Sequence, residues 1–210
     1  MREIDPYYSR KYRRAPYGDL VILGLLMLLI ICFSQAQGAT LQDRVIENSS
    51  RYLHVRELHN DNRSPDIDRW LRYLGLPMGQ PYCAAFYVYN YHEQGHNLPR
   101  IGRCSLLWQT CRARELTYKT FDAESVSVGI EKIQPGDGII WRHGRGTNSN
   151  FNGHAGLALA QTGRASFRSR EGNTQPGSAG NQREGGGVYD RSRRLDIGSA
   201  FEVVGFIRVR

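Results

Sequence analysis

Apolar and polar residues follow three different patterns along this chain. Residues 20–33, LVILGLLMLLIICF, form an unbroken apolar run, and from there no charge appears until Asp43. From residue 40 to about 115 the apolar positions recur at helical spacing. Leu41, Val45 and Tyr52 predict a first helix with Thr40 as its N-cap, and SPDIDRWLRYLGL predicts a second, opened by Ser64-Pro65 and closed by Gly75. Pro77, Gly79 and Pro81 impose an irregular connection. Ala84, Val88 and Tyr91 then predict a third helix from about Tyr82 to Gln94, ending at Gly95, and RCSLLWQTCRAREL a fourth. From about residue 125 the period shortens. QPGD at 134–137 is a turn signature leading into the strand GIIW. HAGLALAQ, ASFRSRE, GGVYDRSRRL and FEVVGFIRVR are further strands, separated by polar, glycine-rich loops at 142–153 and 172–187. Helices first and an antiparallel sheet afterwards make an α+β domain. There is no internal repeat.

Fourteen residues fall short of the roughly 20 of a comfortable membrane span but fit the apolar core of an export signal. The small residues of Ser34-Gln35-Ala36 suit signal peptidase, while an uncleaved anchor would extend through SQAQGATLQ. Cys32 follows Ile31, where a lipoprotein signal needs a small residue. The chain therefore divides into 1–38, a signal peptide or membrane anchor, and 39–210, one domain facing outward across the cytoplasmic membrane, periplasmic, extracellular or anchored through residues 20–33. Two of the eight net positive charges lie in residues 1–19, so the domain is itself basic. That balance suits an anionic cell-envelope surface. No arginine-rich recognition helix, zinc finger or aromatic-basic sheet signature points to nucleic acid. Oligomeric state is not legible.

LGLPMGQPYCAAFYVYNYHEQGHN, residues 74–97, carries two chemistries at once. Cys83 stands at the head of the third helix, where unpaired N–H groups and the helix dipole favour thiolate over thiol. Buried cysteines are usually inert, so the case needs partners. A cysteine hydrolase requires a histidine to hold the proton and a polar group to orient the ring. NGHAGLALA puts His154 at the start of a strand, and the next strand ends with Glu171 and Asn173, which alternation places on one face. His143 reads as a structural strand-edge histidine. The second signature, His92-Glu93-Gln94-Gly95-His96, matches the H-E-x-x-H zinc-peptidase pattern. It lacks a third ligand: the extended form wants Gly and His three and six residues on, where the chain has Pro99 and Gly102, and Glu115 is supported by no spacing. The plain reading is a polar helix end running into a glycine turn.

The segments GLPMGQPYCAAFYVYNY, IQPGDGIIW, NGHAGLAL, EGNT and REGGGVYDRSRR, spread from about residue 66 to the C-terminus, resemble in content and order the CHAP amidohydrolase/peptidase domains. These are a branch of the papain-like superfamily together with the NlpC-type cell-wall peptidases. The resemblance implies a papain-like fold, with N-terminal helices packed on an antiparallel sheet. It makes Cys83 the nucleophile, His154 the general base and then acid, Glu171 the residue orienting the imidazole, and Asn173 an auxiliary polar group. An oxyanion hole would use the Cys83 backbone N–H with a nearby side chain, Gln80 or Tyr82. The tyrosines of FYVYNY differ from the smaller or more aliphatic residues of relatives and bear on the substrate groove. The implied reaction is cleavage of a peptidoglycan amide, in the stem peptide, the cross-bridge or between muramic acid and alanine, with no metal or other cofactor. The alternative from another class is a non-catalytic wall-binding or assembly module. Cys104 and Cys111, seven residues apart on one helix, would have Cα atoms about 10 Å apart, so no disulfide between them is expected.

Overall fold

The computed structural model describes residues 38–144, 149–176 and 185–210. Chain contacts divide the protein into two units, Met1–Ala39 and Thr40–Arg210. The apolar run at 20–33, Cys32 and the small residues at 34–36 lie outside the described residues. Among the described residues no helix is long and apolar enough to cross a membrane.

Four helices come first, and their ends follow the local chemistry. Helix α1 (Leu41–Ser50) starts at Thr40, whose hydroxyl accepts from the Asp43 N–H while the Asp43 carboxylate accepts from the Thr40 N–H. Two of the four N–H groups left over at a helix start are satisfied in this way. Helix α2 (Pro65–Tyr73) is capped by Ser64, and Pro65 occupies the first turn, where a missing N–H costs nothing. Its buried stripe is Ile67, Trp70 and Leu71. Gly75 follows in the left-handed region at φ 73°, which stops the helix. Helix α3 (Cys83–His92) is the central one: every residue from Cys83 to Val88 is buried, as are Asn90 and Tyr91. A helix buried on nearly every side cannot show an amphipathic stripe. The tyrosines expected to bear on a substrate groove include Tyr87 and Tyr91, both fully inside the core, with the Tyr91 hydroxyl donating to the Gly136 carbonyl at 2.7 Å. Helix α4 (Cys104–Arg112) carries Cys104 and Cys111 together, and both thiols are free.

The second half forms one antiparallel sheet. Its strands are β1 (Tyr118–Asp122), β2 (Gly138–His143), β3 (Gly153–Gly163), β4 (Ser166–Thr174), β5 (Gly187–Arg194) and β6 (Phe201–Val209), in the order β1-β6-β2-β3-β4-β5. The turn before β2 is closed by the Asp137 N–H on the Gln134 carbonyl at 3.1 Å, with Gly136 at φ 86° as a type II turn demands. Strand β1 and the short helix α5 (Ala123–Ser127) are elements that the apolar pattern did not suggest. Each spans five residues, too few for either period to register.

The sheet buries both faces. Ile140, Ala155, Leu157, Val188 and Ile207 join the core under helices α1–α4. Ile139, Trp141, Ala158, Phe167 and Phe206 form a second cluster with Val126 of α5. In register, Trp141 lies opposite His154, and Phe167, Ser169 and Glu171 alternate onto one face. The imidazole is thus rooted beside the second cluster, while Cys83 belongs to the helix layer. They meet where β3 begins.

Candidate active site

Cys83 is the first residue of α3, and its N-cap, Tyr82, provides no side-chain hydrogen bond. The N–H groups of the first turn therefore keep their partial positive charge beside the sulfur. The sulfur also accepts from the Ala155 N–H and from the His154 side chain. His154 is 2% exposed and Glu171 0%. The imidazole Nε2 lies 3.0 Å from Glu171 Oε2, which leaves Nδ1 as the nitrogen for the sulfur. One hydrogen-bonded chain thus runs from thiol to imidazole to carboxylate.

A buried carboxylate needs partners to stay ionised. Glu171 has two besides His154, which together make three hydrogen bonds. Arg193 forks onto it, Nε to Oε1 at 2.8 Å and Nη2 to Oε2 at 2.5 Å, and the Ser169 hydroxyl donates to Oε1. The Arg193 guanidinium also lies over the rings of Trp141 and Phe201, which wall the network. The Cβ of any other residue at Gly156 would come 2.8 Å from Glu171 Cγ, so only glycine leaves the carboxylate room.

Proton affinities follow from these contacts. Burial raises the Glu171 carboxyl, but Arg193 and then His154 outweigh it and hold it far below the usual carboxylate range. Burial lowers His154, yet the hydrogen bond and charge of Cys83, then those of Glu171, carry it up to about 9. Cys83 is held well below an ordinary thiol, first by a hydrogen bond from Cys104, then, against burial, by His154. Thiolate and imidazolium therefore stabilise each other at neutral pH.

Strand β4 does not run straight through the site. Asn173 takes φ 56°, and the pairing with β5 shifts between Glu171 and Thr174. This is a bulge, and the simple alternation expected for Glu171 and Asn173 does not hold across it. Both still reach the site: Glu171 bonds the imidazole, and Asn173 lines the cleft above it. Tyr82 is buried with its hydroxyl on Glu57 at 3.2 Å and on the Gly185 carbonyl at 3.4 Å, and Gln80 is exposed on the preceding turn. Neither lines the cleft.

The cleft holds about 160 Å³ and is bordered by Pro81, Cys83, Gly102, Arg103, Cys104, His143, Phe151, Asn152, Gly153, His154 and Asn173. That is below the roughly 300 Å³ at which small-molecule pockets begin. Sequence reasoning did not foresee Cys104, Arg193, Ser169 or Arg103 here, and gave His143, which stacks on Phe201, a purely structural part. Cys104 carried a signal that went unused: like Cys83, it is the first residue of a helix.

The H-E-x-x-H residues lie at the far end of α3. The helix stops at His92, so His96 is not one turn further along the same face. The His92 ring stacks on Tyr73 at 4.0 Å, and the His96 ring lies edge-on to Tyr91. Glu93 accepts from Asn48 Nδ2 at 2.7 Å and from the Tyr52 hydroxyl at 2.6 Å. Among the described residues no group of three or more His, Cys, Asp or Glu side chains is placed to hold a metal. Comparison with protein-family models, with curated proteins and with solved structures finds no match to this chain.

Proposed function

We propose that the domain is a papain-like cysteine amidohydrolase of the CHAP type that cleaves an amide bond in peptidoglycan. The observation that carries this reading is the single hydrogen-bonded chain of Cys83, His154 and Glu171 at the free N-terminus of α3. The Cys83 thiolate attacks the amide carbonyl, and the carbon becomes tetrahedral with the oxyanion facing the Cys83 N–H. His154 passes its Nδ1 proton to the leaving nitrogen, the C–N bond breaks, and an acyl-enzyme remains. Water, deprotonated by the same imidazole, frees the acyl group and restores the thiolate. Glu171, locked by Arg193, keeps Nδ1 turned to the sulfur throughout. The choice of polymer rests on the sequence resemblance and on the basic charge, which suits an anionic wall outside the cytoplasmic membrane.

The test is digestion of purified peptidoglycan with the full chain, with the released fragments identified by mass spectrometry. New fragments bearing a freed amine and carboxyl are expected. They should vanish with Cys83→Ala, a fall of at least about a thousandfold, and persist in the presence of a chelator. A wild-type chain that releases nothing overturns the hydrolase. Continued cleavage by Cys83→Ala overturns the thiolate mechanism. Binding to the wall, unchanged in the variant and without any cleavage by the wild type, would favour the non-catalytic module instead.

A further inference from the structure

Two cysteines, not one, face the cleft. Cys83 Sγ and Cys104 Sγ are 3.9 Å apart, although the residues lie on different helices and 21 positions apart in the chain. Each is the first residue of its helix, and each is 4% exposed and borders the cleft. Packing alone would be served by any small apolar side chain at the second position. A thiol there does something more, because it is the one side chain that can form a covalent bond to the nucleophile.

We propose that Cys83 and Cys104 form an oxidisable dithiol, in which Cys104 traps a Cys83 sulfenic acid as a disulfide when a hydroperoxide reaches the cleft. The inference rests on the reactive Cys83 of the proposed function and goes beyond it, since it concerns what happens to that sulfur besides amide cleavage. In the first step the Cys83 sulfur attacks the near oxygen of the hydroperoxide. The S–O bond forms, the O–O bond breaks, and the departing alkoxide or hydroxide takes a proton from the His154 imidazolium. In the second step the Cys104 sulfur attacks Cys83, the S–S bond forms, and the S–O bond breaks. The Cys104 proton leaves with the hydroxyl as water. Two thiols and one hydroperoxide become one disulfide, one alcohol or water, and one further water. The sulfurs are oxidised by two electrons and the peroxide is reduced by two.

The surroundings favour this order of events. Cys83 stands beside the His154 imidazole and the uncapped N–H groups of α3, and its contact with Cys104 lowers Cys83 and raises Cys104, so Cys83 is the sulfur that favours the charged form. Cys83 is therefore oxidised first. Once its sulfur is neutral, the contact that held the proton on Cys104 is gone. An S–S bond needs about 2 Å, so the sulfurs must close by roughly another 2 Å, the scale of a side-chain rotation at two helix ends. Cys111 does not compete: it lies two turns along α4, away from the cleft, with burial pushing its thiol up to about 12.

The experiment treats the full chain with hydrogen peroxide, blocks free thiols and maps the peptides by mass. The wild type should lose two hydrogens, with the Cys83 and Cys104 peptides joined, and dithiothreitol should reverse this. In Cys104→Ser and, as a second variant, Cys104→Ala, Cys83 should instead gain two oxygens, which dithiothreitol does not remove. The proposal is overturned if wild-type Cys83 gains two oxygens without cross-linking, stays unoxidised, or joins Cys32 or Cys111. It is equally overturned if both variants recover as the wild type does. Because the readout is mass, a chain that cuts no peptidoglycan still answers it, and a missing cross-link leaves the hydrolase intact.

Discussion

Helix α3 treats the polar side chains at its two ends in opposite ways. At its N-terminus Cys83 meets a histidine from β3, a carboxylate from β4 that is pinned by an arginine from β5, and a second thiol from α4. Five elements converge, and none of the groups is a sequence neighbour of the others. At the C-terminus His92, Glu93 and His96 lie within five residues, yet each turns to a separate partner: Tyr73, the pair Asn48 and Tyr52, and Tyr91. Proximity in sequence, the attraction of the H-E-x-x-H pattern, produced no convergence there. The difference teaches that polar side chains converge where a buried charge has to be satisfied, not where motif residues are dense in sequence. The N-terminal cluster keeps a carboxylate ionised at 0% exposure, which the fold must offset with an arginine, whereas Glu93 makes its bonds on an exposed helix end.

The strongest way to break the contrast is to remove charge from the convergent end. Glu171→Gln should leave the backbone in place but deprive His154 of its orienting acceptor and Arg193 of its counter-ion. Hydrolysis should fall by roughly ten-thousandfold, following what loss of the orienting carboxylate costs in triads of this kind. Initial rates on peptidoglycan fragments, beside circular dichroism to verify folding, check it. A drop of less than tenfold would show that Glu171 does not orient the ring.

The pH profile sharpens the comparison next. His154 is raised to about 9 and Cys83 is lowered from the thiol range, so the ion pair exists between them. Activity should fall as pH rises through about 9, where the imidazolium is lost, and fall again toward acid as the thiolate is protonated. Each limb should approach tenfold per pH unit. Because Glu171 helps to raise His154, the alkaline limb of Glu171→Gln should move to lower pH. The sign for stability is the same: His154's contribution is complete below its ordinary value of 6.5 and disappears through about 9. A flat profile between neutrality and pH 10, measured by rate against pH, would remove the ion pair.

The smallest effect belongs to the other end. Glu93→Ala takes the acceptor from Asn48 and Tyr52, both mostly buried, and should lower the unfolding free energy by about 1–2 kcal/mol. Turnover per folded molecule should be unchanged. Denaturant titration together with active-site titration separates the two quantities. A collapse of turnover with folding intact would return this end of the helix to the chemistry.

What was legible in the chain was whatever a turn or a single strand decides. Thr40 and Ser64-Pro65 start helices because their side chains meet N–H groups three residues away, and QPGD turns because glycine alone tolerates φ 86° there. The apolar periods separated the helical half from the sheet, and the order Cys83, His154, Glu171 picked out the side chains that the structure brings together, without their geometry. The irregular step in β4 at Asn173 and the strand β1 were invisible, since each depends on a pairing partner far along the chain, and the five-residue helix α5 is too short for its period to register.

By itself, then, the sequence determined where the capped helices and the QPGD turn begin, because those signals act over distances shorter than one helical turn; for the chemistry it offered candidates. Only tertiary structure decided which of two candidate motifs drew its side chains together. It set Cys104 against Cys83, brought Arg193 across the sheet to Glu171, and dispersed His92, Glu93 and His96. The reason is physical: the proton affinity of a buried group depends on what surrounds it within a few ångströms, and those surroundings are assembled from strands and helices tens of residues apart.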